Sequence, residues 1–163
     1  VAPRSWRFKM PKAQALVWDD RIQGMQSMAR EAVGDVTVLR ADGHWAYHLA
    51  VVVDDAEQGI TDVVRGADLL SSTGAHVALQ QALNVVTPHY AHVPVMQNNQ
   101  GQKLSKQTKA APVEVKNASQ VLSTVFEHLH LNGIAQEALD HPEVMLNKAQ
   151  SEWSLRWKKE EET

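Results

Sequence analysis

Cysteine is absent from the 163 residues, which excludes disulfides, thiolate nucleophiles and thiolate zinc sites from this stretch. Hydrophobic runs are short, and none approaches the length needed to cross a bilayer. The first residues also lack the apolar core of a signal peptide. The net charge of -3 argues against a surface that is basic throughout. We therefore expect a cytoplasmic protein without a membrane partner, whose contacts with phosphates would come from local clusters of lysine and arginine.

The composition that remains is that of a globular protein, with 44% hydrophobic and 21% charged residues. The sequence contains neither a Walker loop nor a GxGxxG turn, so a glycine cradle for phosphates is not supported. Proline, glycine and charge patterns divide the chain into three predicted parts. These are a connecting segment at 1–19, an α/β region at 20–112, and a helical region at 113–163.

Strands and helices alternate through the predicted α/β region. Strands are predicted at residues 13–18, 36–40, 60–64 and 91–96. Helices are predicted at residues 20–33, from Ser72 or Thr73 as a cap to Leu83, and at 118–131, 134–139 and 142–153. Residues 47–54 read as a strand by composition, although so short an apolar run is also compatible with a buried helix. The order strand, helix, strand, polar loop after residue 60 indicates a βαβ unit with its active loop beyond the second strand.

Two lysines stand in the polar loop after the last predicted strand, in the motif Lys103-Leu104-Ser105-Lys106. Ammonium groups on such a loop can stabilise the charge that develops on phosphates when a nucleotide is cleaved. The tetrapeptide alone is weak evidence, because lysines in polar loops are most often solvated surface charges. The motif becomes informative only through its position.

An arginine, Arg65, follows a predicted buried strand and precedes Gly66. A guanidinium at the carboxyl end of a strand is suited to bidentate binding of a small carboxylate. An ion pair of Arg65 with Asp62 or Asp68 is an equally acceptable reading of the residues alone. Arg65 is therefore a candidate substrate-binding residue with a structural alternative.

Other titratable groups are weaker candidates. The adjacent carboxylates of Asp54 and Asp55 are more typical of a solvated boundary than of a metal site. The histidine pairs His89 with His92 and His128 with His130 lack a further convincing ligand, so we interpret them as surface or helix-lining residues. No metal site is predicted.

Four blocks in order resemble the glutamyl-tRNA synthetase superfamily of class I aminoacyl-tRNA synthetases. They are residues 47–55, 58–61, 64–69 and 103–106. Together they are far more specific than any one block, and the similarity extends over nearly the whole chain. The block Arg65-Gly66-Ala67-Asp68-Leu69 is most similar to the glutamyl-queuosine branch.

The resemblance implies an α/β fold, namely the second half of a class I Rossmann-type catalytic domain followed by a small α-helical region that contacts the tRNA stem. It implies a helix at residues 47–54. By the same resemblance the reaction is adenylation of glutamate by ATP, with Mg²⁺, followed by transfer to tRNA, here the queuosine of tRNA(Asp). Zinc is expected only in a portion preceding Val1.

The resemblance also assigns roles to individual residues. Tyr47 and Arg65 would hold glutamate. The block Lys103-Leu104-Ser105-Lys106 would be the second ATP motif of the class, with Lys103 and Lys106 catalytic. Leu104 stands where methionine is commoner in this motif, which we interpret as variation within the branch.

The first ATP motif of the family has no counterpart in these residues, so we expect a fragment that is inactive alone. A half-sheet cut from a larger domain would expose an edge, which predicts self-association. Two alternatives remain open at this point. One is a fragment of an ordinary glutamyl-tRNA synthetase, and the other is a truncated, non-catalytic RNA-binding paralogue.

Overall fold

A computed structural model of the chain describes residues 5–105, 108, 110–131 and 141–158, with side chains described up to residue 154. It divides the chain into two compact units, Val1–Val93 and Pro94–Thr163. The division into three parts predicted from the sequence stays a prediction. Within the described residues, no helix is both long enough and apolar enough to pass through a membrane.

The first unit contains six strands and three helices among its described residues. In chain order they are β1 Trp6–Phe8, β2 Leu16–Trp18, β3 Gln26–Met28, α1 Arg30–Val33, β4 Val36–Leu39, α2 Tyr47–Glu57, β5 Asp62–Gly66, α3 Leu70–Leu83 and β6 His89–Val93. A 3-10 turn at Ala67–Leu69 joins β5 to α3. Strands β1 and β4 pair antiparallel, as do β2 and β3, whereas β5 and β6 pair parallel. The predicted βαβ unit is thus confirmed as β5, α3 and β6.

Helix α3 is the centre of this unit, because every residue from Thr73 to Gln80 is buried. Apolar side chains of β2, β6 and α3 form one cluster: Leu16, Trp18, Val77, Ala78 and Tyr90. Side chains of β4, α2 and α3 form a second one: Val36, Val52, Ala75 and Leu79. The helix is therefore packed on several faces at once, which holds β5 and β6 in place relative to it.

The predicted start of α3 is wrong. Leu69 is the N-cap and no side chain caps the helix, because the preceding 3-10 turn runs directly into it. The Ser72 hydroxyl instead donates to the carbonyl of Leu69 over 2.8 Å. The helix ends at Leu83, where Asn84 takes the left-handed conformation with φ of 55°.

The structure of the first unit tests the predictions for residues 47–54 and for residues 20–33. Residues 47–57 form a helix, as the resemblance implied and against their strand-like composition. The helix predicted at 20–33 is wrong, since this stretch contains a turn, β3 and the four-residue α1. Gly24, with φ of 71°, closes that turn, and its N–H donates to the Asp20 carbonyl over 2.7 Å. Pairing of β3 with β2 then outweighs the weak helical pattern.

Among its described residues, the second unit contains a 3-10 turn at Val115–Asn117 and two helices, α4 Ala118–His128 and α5 Pro142–Lys158. Their apolar sides form a core of Phe126, Leu131, Met145 and Ala149. The predicted helices at 118–131 and 142–153 are confirmed, with α4 ending three residues early. The helix predicted at 134–139 lies outside the described residues.

Candidate functional site

Arg65 and His92 are brought together by the parallel pairing of β5 and β6, in which they are register partners. Both lie at the carboxyl ends of their strands, where open α/β sheets usually bind ligands. The Nε–H of Arg65 donates to Nε2 of His92 over 3.0 Å. A residue of each strand therefore contributes to one polar cluster.

Helix α3 supplies two more partners of the guanidinium. Nη2 of Arg65 donates to the Thr73 hydroxyl over 2.9 Å, and Nη1 lies 3.4 Å from Nδ1 of His76. The guanidinium carbon is 5.5 Å from the centre of the Tyr90 ring, a distance at which a cation is attracted by the aromatic face. Three of the five N–H groups of Arg65 are thus used, which leaves one on Nη1 and one on Nη2.

Arg65 has no ion-pair partner among the described residues. Asp62, one of its two sequence-based alternatives, pairs with Arg21 over 2.9 Å, and Arg65 forms no ion pair with Asp68 either. The guanidinium is half-buried and surrounded by neutral acceptors. No carboxylate among the described residues therefore neutralises its positive charge.

Asp20 lies behind His92 and is 1% exposed, while His92 is 0% exposed. One carboxylate oxygen of Asp20 accepts the His92 backbone N–H over 3.1 Å, and the other contacts Nδ1 of the same residue. Burial raises the pKa of Asp20. Hydrogen bonds from the His92 ring and from the backbone of Gln23, His92 and Ile22 lower it by more, so the pKa lies below its usual value. Asp20 is thus an ionised acceptor for the His92 ring.

Two further imidazoles extend the cluster. Nε2 of His76 lies 3.0 Å from Nδ1 of half-buried His48. Burial, followed by the charge of Arg65, lowers the pKa of His76 to about 3, and the same two causes lower the pKa of His48. Both rings are therefore neutral near pH 7, and Arg65 remains the cation of the cluster.

Tyr47 borders this cluster at the start of α2. Its side chain is 56% exposed, and its ring centre lies 5.5 Å from that of His48 and 6.0 Å from that of His76. Tyr47 and Arg65 thus both lie near His76. The role of the two residues toward glutamate stays a prediction.

The lysine motif belongs to the second unit. Lys103 is exposed and forms an antiparallel β-bridge with Gln97 through the backbone. A turn between them includes Asn98 and Gly101, and the φ of Gly101 is 75°. The Leu104 N–H donates to the Met96 carbonyl over 2.8 Å.

Ser105 is half-buried and bound to Thr108, whose hydroxyl accepts the Ser105 N–H over 2.9 Å. Lys106 lies outside the described residues. The roles of Lys103, Leu104, Ser105 and Lys106 toward ATP stay predictions, as does a cleft shared by these lysines with Arg65.

Metal ligation has no support within the part of the chain that the structure describes, where no group of three or more acidic or histidine side chains could hold an ion. This covers Asp54 and Asp55, which lie in the last turns of α2.

Sequence reasoning missed Asp20, His48, Thr73 and His76, and the interpretation of His92 as a surface or helix-lining residue is wrong. His92 lies on a strand and is fully buried. A signal was available, since His92 lies in the second strand of the predicted βαβ unit, whose first strand leads directly to Arg65.

Comparison with known proteins places this geometry in a family. The sequence profile of "tRNA synthetases class I (E and Q), catalytic domain" matches residues 2–162. The chain belongs to this family. It is 45% identical over 152 residues to the glutamyl-Q tRNA(Asp) synthetase of Neisseria meningitidis serogroup C strain 053442, covering 93% of this chain and 50% of the relative. It is 51% identical over 141 residues to that of Ralstonia nicotianae, covering 85% of this chain and 44% of the relative.

Solved structures agree with the family. A glutamate tRNA ligase from Elizabethkingia meningosepticum, in complex with its amino acid, matches with a TM-score of 0.57 and 36% identity over 62% of this chain and 20% of that chain. Glutamate-tRNA synthetase from Elizabethkingia anophelis matches with a TM-score of 0.56 and 36% identity, over 62% of this chain and 21% of that chain. The α/β fold and the resemblance to the glutamyl-queuosine branch are therefore confirmed. The chain spans about half the length of its curated relatives.

Proposed function

We propose that this chain supplies the carboxylate-binding part, and the second ATP motif, of a class I ligase that activates glutamate with ATP and transfers it to the queuosine of tRNA(Asp). The observation that carries the proposal is Arg65, a half-buried cation with neutral partners and two unused N–H groups at the carboxyl end of a parallel strand. Such a cation binds a carboxylate. At the side-chain carboxylate of glutamate it discriminates against glutamine, whose side chain ends in an uncharged amide.

In the first step an oxygen of the α-carboxylate of glutamate attacks the α-phosphorus of ATP. The bond from this phosphorus to the oxygen that bridges it to the β-phosphorus breaks, and pyrophosphate leaves. Arg65 and Tyr47 would hold glutamate during this step. Lys103 and Lys106 would stabilise the charge that develops on pyrophosphate. A hydroxyl of the RNA then attacks the acyl carbon, and AMP leaves. Mg²⁺ is expected with the nucleotide. The described residues contain no group of three or more acidic or histidine side chains that could hold an ion, and no step here depends on a metal ligand of this chain.

Glutamate-dependent exchange of pyrophosphate into ATP by the protein as its full gene encodes it tests this proposal. We expect exchange with the unaltered protein and a loss of about 100-fold or more in Arg65→Gln, because a half-buried cation that meets the substrate carboxylate is removed. Absence of glutamate-dependent exchange in the unaltered protein would reject the proposal.

The lysine motif is tested in the same assay. We expect Lys103→Ala and Lys106→Ala to lower the exchange rate by about 10-fold to 100-fold, because each removes a charge that meets developing negative charge. Lys12→Ala, which removes an exposed lysine of the first unit, is the matched control and is expected to leave exchange unchanged. Unchanged exchange in Lys106→Ala would remove that residue from the mechanism.

A second function is favoured by one observation, since the matching solved structures are glutamate-tRNA synthetases that share 36% identity. In that case the acceptor would be tRNA(Glu) and the exchange reaction would be the same. The acceptor RNA, and not the activation step, distinguishes the two functions.

A further inference from the structure

Asp20 and His92 are absent from the roles that the resemblance assigned, yet they are among the most deeply buried polar residues of the first unit. We propose that they are positioning residues, which fix the orientation of the Arg65 guanidinium toward the substrate carboxylate. This inference rests on the proposed function for the identity of the substrate.

Asp20 is anchored by the backbone of its own turn. Its Oδ1 accepts N–H groups from Ile22 over 3.1 Å, Gln23 over 2.9 Å and His92 over 3.1 Å. Its Oδ2 is therefore left for the His92 ring, which it meets at Nδ1. Three backbone bonds hold the carboxylate so firmly that it can determine the orientation of the ring.

An ionised carboxylate only accepts hydrogen bonds, so Nδ1 of His92 must carry the proton that it donates to Asp20. Arg65 donates its Nε–H to Nε2 over 3.0 Å, so Nε2 is the acceptor of the ring. In the opposite tautomer an N–H of His92 would face the N–H of Arg65. The carboxylate thereby selects the one tautomer that attracts the guanidinium.

The bond at Nε fixes rotation of the guanidinium plane, because Nε is the atom of the planar group that is joined to the side-chain stem. Thr73 and the Arg65 Nη2 atom, 2.9 Å apart, add a second fixed point. The two unused N–H groups, one on each terminal nitrogen, then have defined directions. A prepositioned fork of this kind loses less entropy on binding a carboxylate than a mobile one.

A purely structural role is the competing explanation, since Asp20 and His92 also hold β6 to the turn at residues 20–24. The two roles predict different results. A structural pair would affect folding and every substrate equally, whereas a positioning pair affects glutamate and leaves ATP unchanged.

The first measurement is the tautomer of His92 by two-dimensional nitrogen NMR on the ¹⁵N-histidine-labelled protein. We expect a proton on Nδ1 and none on Nε2 in the unaltered protein, and the reverse in Asp20→Asn, whose amide can donate to Nδ1. A proton on Nε2 in the unaltered protein would overturn the inference without any reference to activity.

The second measurement is glutamate-dependent pyrophosphate exchange. We expect Asp20→Asn and His92→Leu to raise the KM for glutamate by about 10-fold to 100-fold, while the KM for ATP changes by less than about twofold. His92→Gln retains an oxygen acceptor for Arg65 and is expected to recover most of the glutamate affinity. His89→Gln, an exposed change on the same strand, is the matched control.

Thermal unfolding of each variant identifies those that fold. Folded Asp20→Asn and His92→Leu proteins with an unaltered KM for glutamate would overturn the inference and leave the proposed function intact. An equal rise in both KM values would assign a structural role and overturn it too. Exchange that is absent from the unaltered protein, with His92 protonated on Nδ1, would instead reject the proposed function.

Discussion

At the scale of single residues, the cluster around Arg65 keeps one positive charge by suppressing others. His76 is 2% exposed and lies beside the guanidinium, so a proton on its ring would be both desolvated and repelled. A second cation here would compete with Arg65 for the carboxylate that we propose it binds. Neutral imidazoles can accept hydrogen bonds from the guanidinium without cancelling its charge.

The pKa of His76 near 3 makes folding stability dependent on pH. An unfolded histidine takes up a proton near pH 6.5, so between about pH 6.5 and 3 the unfolded chain binds more protons than the folded one. Stability is therefore fully present above pH 6.5 and falls as the pH falls. From pH 7 to pH 5 we expect the free energy of unfolding to decrease by about 2 kcal/mol more in the unaltered protein than in His76→Gln.

Urea unfolding at pH 7 and pH 5 measures this difference. His89→Gln, which replaces an exposed histidine, should retain the full decrease. Identical pH dependence in the unaltered protein and in His76→Gln would contradict the burial of a neutral ring at this position. His48, whose pKa is lowered by burial and by the charge of Arg65, contributes to the decrease in both proteins.

The candidate site could be predicted from the sequence only in part. Arg65 was predicted because a guanidinium directly after a buried strand is visible in the chain, and Tyr47 because it stands in a family block. Asp20 and His92 were not predicted, since they are 72 positions apart and only the folded chain brings them together. Local patterns contain no information on a contact of that range.

At the scale of elements, α3 packs against β2, β3 and α1 at a glycine. A Cβ at Gly74 would lie 2.8 Å from Sδ of Met28, 3.1 Å from Cγ2 of Val33 and 3.7 Å from Cδ1 of Leu16. Met28 can adjust because its side chain is flexible, whereas the branched Val33 is stiffer. The absence of a side chain at position 74 therefore allows α3 to approach these three residues closely.

We expect Gly74→Val to lower the free energy of unfolding by about 1 to 3 kcal/mol, because it overpacks this contact. Gly74→Ala should be nearly neutral, since a gain in helix propensity of about 1 kcal/mol offsets the clash with Met28 and Val33. Ser71→Val, at an exposed position in the same helix, is the matched control and should change stability only slightly. Urea unfolding measures all three, and a neutral Gly74→Val would contradict the close packing.

Elements were predicted well where composition and long-range pairing agree. Strands β4, β5 and β6 and helices α3, α4 and α5 follow from the sequence pattern. The helix at Tyr47–Glu57 is rich in valine. Its strand-like composition is overridden by packing of Val52 against Val36, Ala75 and Leu79. The predicted helix at 20–33 failed because Gly24 closes a turn on Asp20 and β3 pairs with β2, and together these outweigh the weak helical spacing.

At the scale of the whole molecule, the chain spans about half of the curated relatives, and its two units each have a separate core. The candidate carboxylate site lies in the first unit, while the lysine motif lies in the second. The proposed activation of glutamate requires both. The activity is therefore proposed for the protein as its gene encodes it, and self-association of the chain stays a prediction.

The acceptor RNA decides between the two proposed ligases. We expect radiolabelled glutamate to be transferred to tRNA(Asp) that carries queuosine, because the relatives with 45% and 51% identity are glutamyl-Q tRNA(Asp) synthetases. The matched control is tRNA(Asp) of the same sequence without queuosine, which lacks the accepting base and should remain unlabelled. Transfer to tRNA(Glu), with none to queuosine-containing tRNA(Asp), would instead support an ordinary glutamyl-tRNA synthetase and leave the role of Arg65 in glutamate binding unchanged.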